Sequence, residues 1–126
     1  MYVKLIATLL FLVILIGPFF NKTYTYSGEE YPWTAELSVT QTYYGFETQE
    51  FVLTYIGENM NRVGDIDYSL KSVYSFGGAY YQLDENGTIT HSVDNMTIIG
   101  KISEDTNIIV TVGWEDEQVK FNLQRK

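Results

Sequence analysis

Cysteine is absent from all 126 residues, which excludes thiol catalysis, disulfide staples and thiolate metal sites. It also excludes an anchor in which a lipid is thioether-linked to a cysteine after the apolar N-terminal run. Histidine occurs once, at His91, so any Ser-His-Asp arrangement has to use it, and one imidazole does not build a typical zinc site. No G-x-S-x-G turn exists to present a nucleophilic serine. Positive charge is scarce as well. Lys4 is the one basic residue before Asn21, so the rest of the chain carries 16 acidic and 7 basic residues, a formal charge of −9. That balance repels phosphate backbones, and no Lys/Arg cluster offsets it, so nucleic acid is excluded as a partner and anionic lipid headgroups are disfavoured. No cofactor motif, metal-ligand set or catalytic constellation is predicted.

What is present first is an apolar run. From Leu5 to Phe20 no residue is charged and Thr8 alone carries a polar side chain. A stretch of this kind directs a chain to a membrane. Spanning hydrocarbon takes roughly 20 residues at about 1.5 Å each, close to what the run supplies. Lys4 can snorkel to one interface, while Tyr2, Phe19 and Phe20 suit the headgroup level. A cleaved signal peptide wants small residues in an A-x-A-like pattern. Gly17 fits its last position, but Leu15 occupies the other small one. The sequence therefore predicts residues 1–22 as a membrane anchor or signal segment, a retained helix being preferred to a cleaved one, with the C-terminal domain outside. Secretion after cleavage is the alternative.

Past residue 22 the apolar period is two rather than 3.6, and Thr, Val, Ile, Tyr and Phe dominate. WTAELSVTQTYY from Trp33 places Trp33, Ala35, Leu37 and Val39 on one face. ETQEFVLTYIG follows a turn near Gly45, then GDIDYSLKSVYS and AYYQL. DENG at 84–87 reads as a tight turn, with Gly87 supplying a positive φ. TITHSV, a turn at Asp94-Asn95, a strand near TIIGKIS, a turn at EDTN, IIVTVGW, a turn at Asp116-Glu117 and VKFNLQ complete eight or nine strands. The prediction is an all-β fold: an antiparallel two-sheet sandwich of immunoglobulin-like size over 23–126, or less favourably a closed barrel, preceded by one N-terminal hydrophobic helix. Trp33 and Trp114 are expected in the core.

The candidate functional residues are few. His91 is expected to face outward between Thr90 and Ser92, as an ordinary surface histidine. Asp65 and Asp67 lie two apart at the start of a strand and, with Asp84 or Glu104-Asp105, could contribute oxygens to Ca²⁺, but no calcium-loop spacing is present and turn chemistry explains the acidic residues. The aromatic pairs are the remaining signal. Tyr43-Tyr44 and Tyr80-Tyr81 can each place one ring outward, because neighbours on a strand alternate faces, and such rings stack on sugars or anchor protein interfaces. These four tyrosines are the predicted ligand contacts.

YTYSGEEYPWTAELSVT, with Tyr26, Gly28, Glu29 and Trp33, resembles small exported or membrane-anchored proteins of Bacillus-type Gram-positive bacteria whose activity is not known. VTVGWEDEQVKFNL, with Trp114 in a closing hairpin, fits the same pattern. Glu30-Tyr31-Pro32 before the tryptophan and the missing lipid-anchor cysteine depart from it. The resemblance implies an extracytoplasmic compartment and a sandwich fold, and no activity. Together the readings predict a membrane-tethered β module at the cell surface, not an enzyme, acting on a protein partner or as a structural element. A carbohydrate- or cell-wall-binding module using exposed tyrosines is the alternative.

Overall fold

The structure, a computed structural model, describes residues 21–42, 46–73, 75–97 and 105–126. The predicted N-terminal helix and most of the TIIGKIS strand lie outside the described residues, and no helix among those described is long and apolar enough to cross a membrane.

Period-two sequence becomes strand wherever one parity is apolar, since that face can be buried while the other meets water. Among the described residues there are eight strands: β1 (Asn21–Glu30), β2 (Trp33–Thr42), β3 (Phe46–Tyr55), β4 (Ile66–Lys71), β5 (Ser75–Tyr81), β6 (Thr88–Thr97), β7 (Ile108–Trp114) and β8 (Glu117–Arg125). A single 3₁₀ turn, Met60–Arg62, lies between β3 and β4. All pairings are antiparallel, and the sheet order is β5-β4-β7-β8-β1-β2-β3-β6.

The all-β antiparallel expectation holds, but the strands do not separate into two sheets. Tyr26↔Arg125 and Ser27↔Gln124 pair β1 with β8 and join the β1-β2-β3-β6 half to the β5-β4-β7-β8 half. One sheet results, curled into a nearly closed barrel. Gly28 is what lets β8 come this close: a Cβ there would overlap the Asn122 carbonyl oxygen and stand 3.0 Å from Leu123 Cδ2. The remaining gap, between edge strands β5 and β6, is bridged by side chains. Phe76 of β5 and His91 of β6 place their rings 4.6 Å apart.

The inward parity fills the interior. Leu37, Val39, Phe51, Leu53, Ile66, Leu70, Ile108, Val110 and Val112 are fully buried. The expected turn at Asp94-Asn95 does not occur. Strand β6 runs on to Thr97, because its ladder with β3 continues through Glu47↔Met96 and Phe46↔Thr97, past a register shift between Glu47 and Gln49. The last hairpin turns at Glu115-Asp116, one residue earlier than predicted, since Trp114 pairs with Glu117.

The two ends of the barrel differ. Strand β1 runs from Asn21 to Glu30, and β2 returns from Trp33 to Thr42. Glu30 and Trp33 therefore sit at the opposite end from residue 21, separated by ten residues of strand, about 30 Å. Trp33, Tyr55 and Trp114 close that far end. Near the β2–β3 hairpin the interior is polar: the buried Glu47 carboxylate accepts Gln41 Nε2–H at 3.0 Å and Gln49 Nε2–H at 2.7 Å.

Candidate functional site

Trp33 opens β2 and Trp114 ends β7, so both inward-facing indoles meet at the far mouth. Trp33 is 0% exposed and stands edge-on to Tyr55 at 5.2 Å and to Trp114 at 5.5 Å. Both tryptophans are core residues, as the alternation in their strands predicts. Trp114 is also the floor of a surface groove. On one side of it a cleft of about 550 Å³ is lined by Tyr31, Pro32, Tyr55, Trp114, Glu117, Gln118 and Val119. On the other, a cleft of about 420 Å³ shares Trp114, Glu117 and Gln118 and adds Arg62, Asp65, Asp67, Tyr80 and Glu115. The shared residues make the two clefts one groove over the mouth of the barrel.

Local backbone chemistry shapes its walls. The Tyr31-Pro32 peptide is cis, and the Pro32 carbonyl accepts the Ile56 N–H at 2.7 Å, tying the β1–β2 turn to the end of β3. Tyr31 is left 67% exposed beside it. Tyr55 donates its hydroxyl to the Glu58 carbonyl at 2.7 Å. Tyr80 has φ +63°, in the left-handed region that bulky residues avoid, and its N–H is held by Asp67 Oδ1 at 3.2 Å. Glu115, at the tip of the β7–β8 hairpin, has φ +50°. Two strained residues thus line the same groove, the kind of place where backbone strain gathers around ligand clamps.

Electrostatically the groove is negative. Asp65, Asp67, Glu115 and Glu117 stand against Arg62 alone among its charged lining. The Tyr55 phenol reports this field: its pKa is raised, by burial first and then by Tyr31, Glu117, Glu115 and Glu58. The indole N–H of Trp33, behind Tyr55 and Trp114, is a buried donor with no acceptor among the described residues.

The predicted tyrosine contacts fare differently. Tyr80 is 80% exposed and belongs to the groove. Tyr81 turns inward, half-buried, with its ring 5.1 Å from that of Tyr68. Tyr43 and Tyr44 lie outside the described residues. Sequence reasoning missed Tyr31 and Tyr55 because they come from different hairpins, and nothing local announces that the turn after β1 and the end of β3 meet.

His91 contradicts the outward placement. It shares strand parity with the buried Ile89 and points into the β5/β6 seam, where Tyr68 Oη and His91 Nδ1 are hydrogen-bonded and the Phe76 ring lies alongside, tilted by 47°. The Ile89-His91-Val93 spacing carried that signal. Burial, reinforced by Tyr81, pushes the Tyr68 phenol well above its ordinary value. The single imidazole is therefore engaged inside the wall. Asp65 and Asp67 both line the groove, whereas Asp84 is spent on its own turn: it accepts the Asn86 and Thr88 N–H groups at 2.9 Å each and Thr88 Oγ1–H at 2.6 Å. Among the described residues no three His, Asp or Glu side chains are placed to hold a metal ion.

A shallow trough of about 540 Å³ on the outer face of β1–β3 is lined by Ser27, Glu29, Thr34, Glu36, Val52 and Thr54. It has no ring to bind against, and Glu36 is paired with Lys126 Nζ at 2.6 Å. No family model, curated protein or solved structure matches the chain.

Proposed function

We propose that this chain is a membrane-tethered extracytoplasmic binding module, and not an enzyme, whose Trp114 groove faces away from the membrane. The observation that carries the reading is the placement of the groove. The apolar run leads directly into β1 at Asn21, and the groove sits at the other end of the barrel, about 30 Å away along β1. A tether at residues 1–20 would hold the barrel upright and leave this mouth free to meet a partner. Binding rather than catalysis is supported by the side chains present: the one histidine is engaged with Tyr68 and Phe76. Exposed aromatic rings beside acidic side chains line the groove, a combination suited to holding a partner.

Protein binding is the leading reading. A glycan reading is supported by the exposure of Tyr31 and Tyr80, whose rings can stack on sugar faces. The cysteine-free sequence makes the topology directly testable. Glu85, exposed at the Asp84–Gly87 turn, is replaced as E85C and intact cells are treated with a membrane-impermeant maleimide. The reading expects labelling before lysis and recovery in the membrane fraction. Labelling only after lysis would overturn it.

A further inference from the structure

The groove also has a chemistry that selects its occupant, an inference that rests on the binding-module reading. We propose that it takes a basic, extended peptide segment, with Lys or Arg side chains lying across Trp114 between the carboxylates and an apolar neighbour seated in the Tyr31-Pro32-Tyr55 cleft. Charge complementarity carries this. Four carboxylates and one guanidinium line the clefts on Trp114, in a chain whose formal net charge is already −8. Such a rim attracts cations over several ångströms and repels acidic partners.

Lysine and arginine also match the floor, since a cationic head gains from an aromatic face and its alkyl stem from the ring edges. Tyr80, fixed outward by its left-handed backbone and its Asp67 contact, and Tyr31, on the opposite wall, put rings on both sides of that floor. A neutral glycan would satisfy the rings but leave the carboxylate rim without counter-charge.

Trp33 and Trp114 are the chain's two tryptophans, and both stand at this mouth, so indole emission reports occupancy. The full-length protein in detergent micelles is titrated with oligolysine, oligoarginine, oligoglutamate and a chitin oligosaccharide while emission is followed. The cationic peptides are expected to shift the emission, and Kd should rise with salt because the rim charges are exposed. A D67N/E117Q variant should weaken binding about tenfold. An E29Q/E36Q variant on the outer trough should leave it unchanged, and oligoglutamate should have no effect. Equal weakening by E29Q/E36Q would reduce the effect to diffuse attraction and overturn the proposal. A response to the chitin oligosaccharide without one to the cationic peptides would also overturn it, while sparing the binding-module reading. Silence from every probe would refute the ligand class, and the E85C labelling would still decide the topology independently.

Discussion

Trp33→Ala removes the largest fully buried side chain among the described residues and probes the end of the barrel on which the groove depends. An aromatic side chain of this size buries about 200 Å², which at about 25 cal/mol per Å² is ~5 kcal/mol of transfer free energy. That is an upper figure, because the unfolded chain already hides part of its apolar surface. Two edge-to-face contacts, with Tyr55 at 5.2 Å and Trp114 at 5.5 Å, are lost as well, each contributing about 1 kcal/mol. In the other direction, the substitution deletes a buried N–H that has no acceptor, which returns about 1–3 kcal/mol. The balance is a loss of ~3–5 kcal/mol, the usual cost of Trp→Ala in a core. Against a total of about 5–15 kcal/mol for a domain, that is a large share, and the melting temperature should fall by more than about 10 °C. Urea unfolding followed by far-UV circular dichroism measures it, with an unchanged m-value confirming that the folded and unfolded references are comparable. Trp33→Phe, which keeps a ring between Tyr55 and Trp114 and removes the orphan donor, should lose much less. A Trp33→Ala loss below about 1 kcal/mol would refute the reasoning. It would mean that the ring is not packed as described and that the groove has no firm floor.

Gly28→Ala tests the joint between the two halves of the sheet. The new methyl would overlap a backbone carbonyl of β8, which cannot swing aside as a side chain can, so a loss of about 1–3 kcal/mol is expected, read by thermal denaturation. A neutral result would show that β1 and β8 are not closely paired. Tyr68 supplies a pH signature. Its folded-state pKa is raised above the ordinary value of 10.0 by burial, so its contribution to stability is complete below about pH 10 and is lost as pH rises through the folded value. Alkaline unfolding of Tyr68→Phe should therefore be less steep than that of the unmodified protein. Identical alkaline profiles would contradict the burial of this phenol against His91.

Much of the fold is legible in the chain itself. Alternation is a local property, so the strands could be placed from Trp33-Ala35-Leu37-Val39 or Ile108-Val110-Val112 without knowing their neighbours. The same parity puts Trp33 and Trp114 in the core. The DENG turn was equally local, because Asp84 bonds the backbone of Asn86 and Thr88 within two and four residues of itself. His91 shows the limit of careless use of that rule: its polarity suggested water, whereas its parity with Ile89 placed it inside.

The sequence by itself therefore determined most strands from Trp33 onward, the acidic surface and an apolar run suited to a membrane, because each depends on composition or on spacing along one strand, whereas β1 and the continuation of β6 to Thr97 were not legible in it. Only the tertiary structure decided that a two-residue ladder between β1 and β8 merges the strands into one curled sheet. It alone brought Tyr31, Tyr55, Tyr80 and Trp114, from different strands and turns, around one groove. Long-range pairing is set by how whole faces fit and by close backbone approaches such as that at Gly28. No stretch of sequence read alone carries that information.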